Sequence, residues 1–113
     1  MFTDIESALA IDVAPVSPIA ASQALSGAGA IALTSYNTYW TTTGTNAATL
    51  ANGTYVGQVK RITMVVDGGD GTLTPTSLSG GTTITFNDVN DFVELQWNGG
   101  AWVIRQNVGC TVA

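Results

Sequence analysis

The fold is indicated most clearly by the stretch FVELQWNGGAWVIRQ, which covers residues 92–106. Hydrophobic residues alternate with polar ones in this stretch, and the side chains of a strand point alternately to its two faces. Asn98-Gly99 joins the two arms, and both residue types tolerate the positive φ angles of a tight turn. The stretch therefore predicts a β-hairpin with one buried face. We expect that face to hold Val93, Leu95, Trp97, Trp102 and Ile104.

Shorter β signals recur through the rest of the chain. Residues 58–66 carry apolar side chains on both faces, which predicts a central strand covered on two sides. Residues 82–86 alternate in polarity, and residues 72–76 form a short strand in which Pro75 indicates an edge or a bend. No helix longer than two turns is expected after residue 23. This spacing predicts an all-β fold, a single antiparallel β-sandwich or jelly-roll-like barrel.

The N-terminal segment differs from this β-rich part. It is apolar and contains Pro15 and Pro18, which favour extended chain before them. We therefore divide the chain into an extended arm, residues 1–23, and a β-sandwich body, residues 24–113. A frayed terminus is the alternative, but large aliphatic side chains gain up to ~1.5–3 kcal/mol each on full burial. The arm side chains predicted at an interface with other protein subunits are Ile5, Leu9, Ile11, Val13, Val16 and Ile19.

The composition indicates a protein that is covered by other protein. Only 3 of the 113 residues are basic and 8 are acidic, 17 are threonine, and the mean hydropathy is +0.27. A soluble monomer ordinarily keeps a surface of mixed charge. Three basic residues are too few for phosphate neutralisation in nucleic-acid binding or for an anionic membrane surface. With no signal-like N-terminus and no spanning apolar run, we expect synthesis in a cytoplasm.

Catalysis is weakly supported by the residue types present. There is no histidine to act as a base near neutral pH. Lys60 or a carboxylate such as Glu94 has the chemistry for proton transfer, but most acids lie in turn sequences, where Asp has a local hydrogen-bonding reason to occur. We predict no enzyme activity and no cofactor.

Two acidic loops carry the oxygen ligands that Ca²⁺ prefers. The first is Asp67-Gly68-Gly69-Asp70-Gly71, and the second runs from Asp88 to Asp91. Their spacing does not fit an EF-hand, and Gly-rich acidic turns between strands occur for conformational reasons alone. We interpret both loops as turns, with a Ca²⁺ site as the open alternative. The single Cys110 is interpreted as a small hydrophobe or idle thiol, with an interchain disulfide as its alternative.

Aromatic residues cluster in two places. Trp97 and Trp102 flank the predicted hairpin turn, where a cross-strand pair stabilises the hairpin by roughly 0.2–1 kcal/mol. Tyr36, Tyr39 and Trp40 lie beside a polar stretch, which makes them candidates for ligand or subunit contact. We therefore add these three residues to the predicted interface.

About half of the chain resembles small virion proteins of tailed bacteriophages. The resemblance lies in LANGTYVGQVKRI (residues 50–62), VDGGDG (66–71), GTTITFNDV (81–89) and LQWNGGAWVI (95–104). It covers capsid decoration, or cement, proteins and the β domains of head or tail fibres. It implies an all-β fold, frequently a homotrimer, without enzymatic activity.

The resemblance and the composition together predict a capsid decoration protein located on the virion. Its expected partners are further copies of itself and the major capsid protein, and no nucleic acid or membrane. A long fibre more often needs a repeat or a coiled coil, and neither pattern is present. The alternative is a receptor- or glycan-binding β module of a head or tail fibre, acting through Tyr39 and Trp40.

Overall fold

The computed structural model describes residues 22–113, and within this range the chain forms strands and no helix. No helix that is long and apolar enough to cross a membrane is therefore found among these residues. The strands are β1 (Gln23–Ser26), β2 (Gly29–Ala30), β3 (Asn37–Thr41), β4 (Asn46–Leu50), β5 (Val59–Val66), β6 (Gly71–Pro75), β7 (Ile84–Phe86), β8 (Phe92–Trp97), β9 (Trp102–Val108) and β10 (Thr111–Val112).

The strands form two mixed five-stranded sheets, which confirms the predicted all-β, sandwich-like fold. The first sheet has the order β1-β3-β5-β8-β9, and the second has the order β10-β7-β6-β4-β2. On β8 and along most of β5 every second side chain is buried, as in a sheet with one face on a core. The core side chains are Ile31, Trp40, Ala48, Leu50, Ile62, Met64, Leu73, Ile84, Phe86, Val93, Leu95, Trp97 and Trp102.

Strand pairing in the N-terminal half is parallel, which corrects the prediction of an antiparallel sandwich. From β1 to β6 the chain alternates between the two sheets, so that β1, β3 and β5 pair in parallel, as do β2, β4 and β6. Each turn in this half carries the chain across to the other sheet. Alternating hydrophobicity is the same for both pairings, and the sequence pattern therefore does not separate them.

The C-terminal half contains the predicted hairpin. β8 and β9 pair antiparallel with Trp97 opposite Trp102, and their rings meet edge to face with centroids 5.5 Å apart. Gly99 has a φ of 98°, as the turn requires. The prediction of a packed tryptophan pair is confirmed, because both side chains are buried.

Two strands differ in detail from expectation. β5 is central in its sheet, as predicted, but only one of its faces is buried, at Lys60, Ile62 and Met64. Arg61 and Thr63 on the other face are partly exposed. Pro75 does not mark an edge strand: it is the last residue of β6, the middle strand of the second sheet. Proline is tolerated there because the bond to the Leu50 carbonyl on β4 comes from the Thr76 N–H, at 2.9 Å, and pairing with β7 on the other side has already ended at Leu73.

The predicted arm falls almost entirely outside the described residues. Ile5, Leu9, Ile11, Val13, Val16 and Ile19 all lie there, and their interface role stays a prediction. Gln23, the predicted last residue of the arm, is instead the first residue of β1.

Candidate interaction surface

Charge is confined to one half of the described fold. No charged residue occurs between Asp12 and Lys60 in the sequence. Strands β1 to β4 and their connections, residues 22–58, therefore carry no ionic side chain, and we call this region the uncharged half. All charged side chains of the described residues lie on β5 to β9 or in the loops between them. Among residues 22–113 the sparse charge is thus concentrated away from one contiguous surface.

The uncharged half ends in an open pair of sheet edges. β1 and β2 are the outermost strands of their sheets. The exposed side chains of these strands and of the turn between them are small, at Ala24, Ser26, Ala28 and Ala30. Edge strands are usually protected from pairing with other chains by lysine, proline or a bulge. Residues 22–30 contain no lysine or proline, so this edge is favourable for contact with another chain.

The Gln23 side chain closes part of this end. Its Nε2 donates to the carbonyl oxygen of Ala30 at 2.8 Å, and its Oε1 accepts from the backbone N–H of Ala32 at 2.8 Å. The same Oε1 accepts from the Thr38 hydroxyl at 2.8 Å. One inward side chain therefore connects both sheets at the open end and leaves the β1 edge uncovered by described residues.

Trp40 is not a surface residue, and its predicted role at an interface is wrong. Its side chain is fully buried, and its ring packs edge to face against Phe86 with centroids 5.6 Å apart. The indole N–H donates to the carbonyl oxygen of Gly27 at 2.8 Å. Strand alternation on β3 places Trp40 inward and Tyr39 outward, where Tyr39 is 41% exposed. The predicted cluster is therefore divided between core and surface.

Tyr36 is oriented by charged neighbours on the outer face of the first sheet. Its hydroxyl donates to Glu94 Oε2 at 2.9 Å. Burial, followed by the hydrogen bond and the charge of Glu94, raises the pKa of the Tyr36 phenol. Glu94 pairs across the strands with Arg61, whose guanidinium lies 4.2 Å from the centroid of the Phe92 ring. The Tyr36 ring is thereby fixed at the boundary between the charged and uncharged halves.

A cleft of about 380 Å³ opens between two loops beside Tyr36. One wall comes from the residues that precede β3, and the other from the residues that precede β5. Tyr55, which is 63% exposed, stands on the second wall. The lining, which we call the tyrosine cleft, is Leu33, Thr34, Ser35, Tyr36, Tyr55, Gly57, Gln58 and Val59. It contains two aromatic rings and no ionic side chain.

Lys60 is buried and does not serve as an accessible base or nucleophile. Its side chain is fully covered and points into the core with Ile62 and Met64. The ammonium group donates to the backbone oxygen of Ser35 and lies 3.5 Å from the Ser35 hydroxyl and 3.4 Å from that of Thr38. Burial lowers the pKa of Lys60 to about 8. These three oxygens hold the group, and among residues 22–113 no carboxylate contacts it.

The acidic loops have local structural roles. Asp67 Oδ1 accepts from the Gly69 N–H at 3.1 Å, and a Cβ at Gly68 would overlap the Thr42 backbone. In the second loop Asp91 Oδ2 accepts from the N–H groups of Asn87 and Asp88. Among residues 22–113 no three metal-ligating side chains come together. The geometry accounts for both loops as turns.

The thiol of Cys110 is half-buried against the core. Burial, with a smaller contribution from the charge of Asp91, raises its pKa to about 12. The thiolate form is therefore scarce near neutral pH, which fits the idle-thiol interpretation.

The uncharged half is visible in the sequence as a long run without Asp, Glu, Lys or Arg, although the total charge alone does not reveal it. The cleft is not visible there, because it depends on parallel strands that begin at the same end of a sheet. No protein-family model matches the chain, and a search of curated proteins finds no match.

Proposed function

We propose that this chain is a non-enzymatic structural protein of a bacteriophage virion, a capsid decoration protein that binds the outer shell as a homotrimer and stabilises it. The observation that carries the proposal is the uncharged half with its β1 edge, which no described strand pairs. The resemblance of residues 50–104 to phage virion proteins gives the particular class.

The chemistry of the uncharged half suits adhesion. Burying an ionic group costs several kcal/mol unless it is paired, whereas Ala, Gly and hydroxyl side chains have a much smaller desolvation cost. A stable interface buries about 800 Å² on each partner. A surface without charges reaches that area without needing a complementary charge on the shell. Shell binding should therefore change little between about 0.1 and 1 M salt, since screening acts on charges.

The test is co-sedimentation with capsids that lack the protein. Ala24→Lys and Ala47→Lys each place a charge on an exposed position of the uncharged half. Each should weaken shell binding at least tenfold. Gln106→Lys, at an exposed position of β9, is the matched control and should bind as the unsubstituted protein does. Normal binding by both lysine variants, Ala24→Lys and Ala47→Lys, or absence of the protein from purified virions, would contradict the proposal.

Trimer formation needs a separate measurement. Light scattering on the purified chain should give three times the chain mass of 11.6 kDa. A monomer at micromolar concentration in solution would remove the trimer from the proposal.

A further inference from the structure

The tyrosine cleft lies at the end of the first sheet where the N-terminal segment joins the fold. β1, β3 and β5 are parallel, with Gln23 opposite Thr38 and Thr38 opposite Ile62. Their starting residues therefore lie at the same end of the sheet. The cleft walls are the residues that lead into β3 and β5. The segment that leads into β1 lies beside the one that leads into β3, and its described part, Ser22, is at this same end of the sheet.

The lining of the cleft suits a proline-containing chain. Aromatic-lined, uncharged grooves recognise polyproline II segments, whose backbone is extended and carries no internal hydrogen bonds. Tyr36 supplies a ring held by Glu94, and Tyr55 supplies a ring that no described residue covers. Leu33 and Val59 add apolar surface between them.

The chain itself contains a segment of this kind. Pro15-Val16-Ser17-Pro18 places two prolines three residues apart, which is one turn of a polyproline II helix, so both rings would lie on one side. No charged residue follows Asp12 before the cleft residues.

The distances are compatible with docking in the same chain. Adjacent strands lie ~4.8 Å apart, so β1 and β5 are separated by about 10 Å. Four residues from Ser22 to Pro18 span about 12 Å at ~3.1 Å per residue, and seven to Pro15 span about 22 Å. The prolines can reach the cleft without an exchange between copies.

We propose that the tyrosine cleft binds residues 15–18 of its own chain. This docking fixes the direction in which residues 1–12 leave the fold, and leaves Ile5, Leu9 and Ile11 for contact with neighbouring subunits. The inference concerns the cleft and does not depend on the virion role.

Disulfide trapping in the full chain tests it. In a Cys110→Ala background, Ser17→Cys is combined with Thr34→Cys on the cleft wall, or with Thr74→Cys as a control. Thr74 is exposed on β6, in the other sheet. Under mild oxidation the Thr34 pair should link at least fivefold faster than the Thr74 pair. Mixing ¹⁴N- and ¹⁵N-labelled chains before oxidation then separates links within a chain from links between chains.

A second substitution tests the aromatic contact. Tyr55→Ala, at an exposed position, should bring the Thr34 linking rate down to that of the control, and so should Pro15→Ala with Pro18→Ala. Mixed-isotope links would show that a neighbouring copy fills the cleft, which overturns docking in the same chain. Equal rates for Thr34 and Thr74, or no effect of Tyr55→Ala, would show that another ligand or none occupies it.

Discussion

The Gln23 side chain makes, around Ile31, the two hydrogen bonds that a residue of one more parallel strand would make. A parallel strand opposite Ile31 would donate to the carbonyl of Ala30 and accept from the N–H of Ala32. The Gln23 amide does both, at 2.8 Å each. At Ile31 the free edge of the second sheet is therefore hydrogen-bonded to a side chain in place of a further strand.

Replacing Gln23 by methionine should destabilise the fold by about 1–3 kcal/mol, mainly because the buried Thr38 hydroxyl and the partly buried Ala32 N–H lose their acceptor. The groups affected are the backbone of Ala30 and Ala32 and the buried hydroxyl of Thr38. Urea unfolding measures the loss. Gln106→Met, at an exposed position, is the control and should change stability by less than about 0.5 kcal/mol. Equal effects at the two sites would refute the role given to Gln23.

Lys60 should make stability depend on pH in the alkaline range. Its pKa is about 8 in the fold, compared with 10.5 for an ordinary exposed lysine. Between these values the unfolded chain binds the proton and the folded chain does not, so stability rises with pH. Below about pH 8 the lysine is charged in both states, and the cost of burying the charge is fully present.

The measurement compares the unsubstituted protein with Lys60→Met in urea from pH 7 to 10.5. The stability difference should move in favour of the lysine protein by on the order of 3 kcal/mol across this range. Cys110 and Tyr36 titrate in both proteins, so their contributions cancel in the difference. A difference that stays constant with pH would show that Lys60 keeps an ordinary pKa.

Trp40 and Tyr39 are neighbours in sequence, but their replacement by alanine should reduce stability by very different amounts. Trp40→Ala removes a fully buried ring from the core and should cost about 3–5 kcal/mol. Tyr39→Ala removes a partly exposed ring on the outer face and should cost less than about 1 kcal/mol. Thermal unfolding of both variants checks the contrast, which a surface position for Trp40 would abolish.

Gly53 is required by the packing of Trp97. A Cβ at position 53 would overlap the Trp97 side chain, which is buried in the hairpin. Gly53→Ala should therefore destabilise the fold by about 1–3 kcal/mol. Gly44→Ala is the matched control, since no atom lies within 4 Å of its Cβ position, and it should be neutral or slightly stabilising. If the two variants unfold at the same urea concentration, the contact with Trp97 is wrong.

Cys110 should react slowly while the protein is folded. With its pKa raised to about 12, little thiolate is present at pH 8. Labelling with an aromatic disulfide reagent should be at least 100-fold slower in buffer than in denaturing urea. Rapid labelling of the folded protein, or a disulfide-linked dimer in non-reducing gels, would favour the interchain bridge.

The sequence was sufficient for the parts of the fold that depend on neighbouring residues. The β8–β9 hairpin was predictable because its turn, its alternation and its paired tryptophans lie within fifteen residues. The inward faces of β7 and β8 followed from alternation alone.

The parallel half was not predictable in the same way. Its pairs join residues far apart, such as Thr38 with Ile62, and no local signal states which strand lies beside which. The burial of Lys60 was not predicted for a related reason. A lysine is rarely fully buried without an acidic partner, and the three oxygens that contact Lys60 come from residues far away in the sequence. The cleft depends on the same long-range pairing.

The order of synthesis adds a consequence to the division of charge. The uncharged half, residues 22–58, leaves the ribosome before β5, the middle strand of the first sheet, and before the β8–β9 hairpin. Pairing between segments that are far apart in the sequence is slow, because the entropy of closing the long loop is lost before the new contacts stabilise the pair. The newly made chain therefore passes through a period in which residues 22–58 are present without the strands that complete their two sheets and the core. Unpaired strand edges are prone to pair with other chains, so this is the period in which association between nascent chains is most favoured.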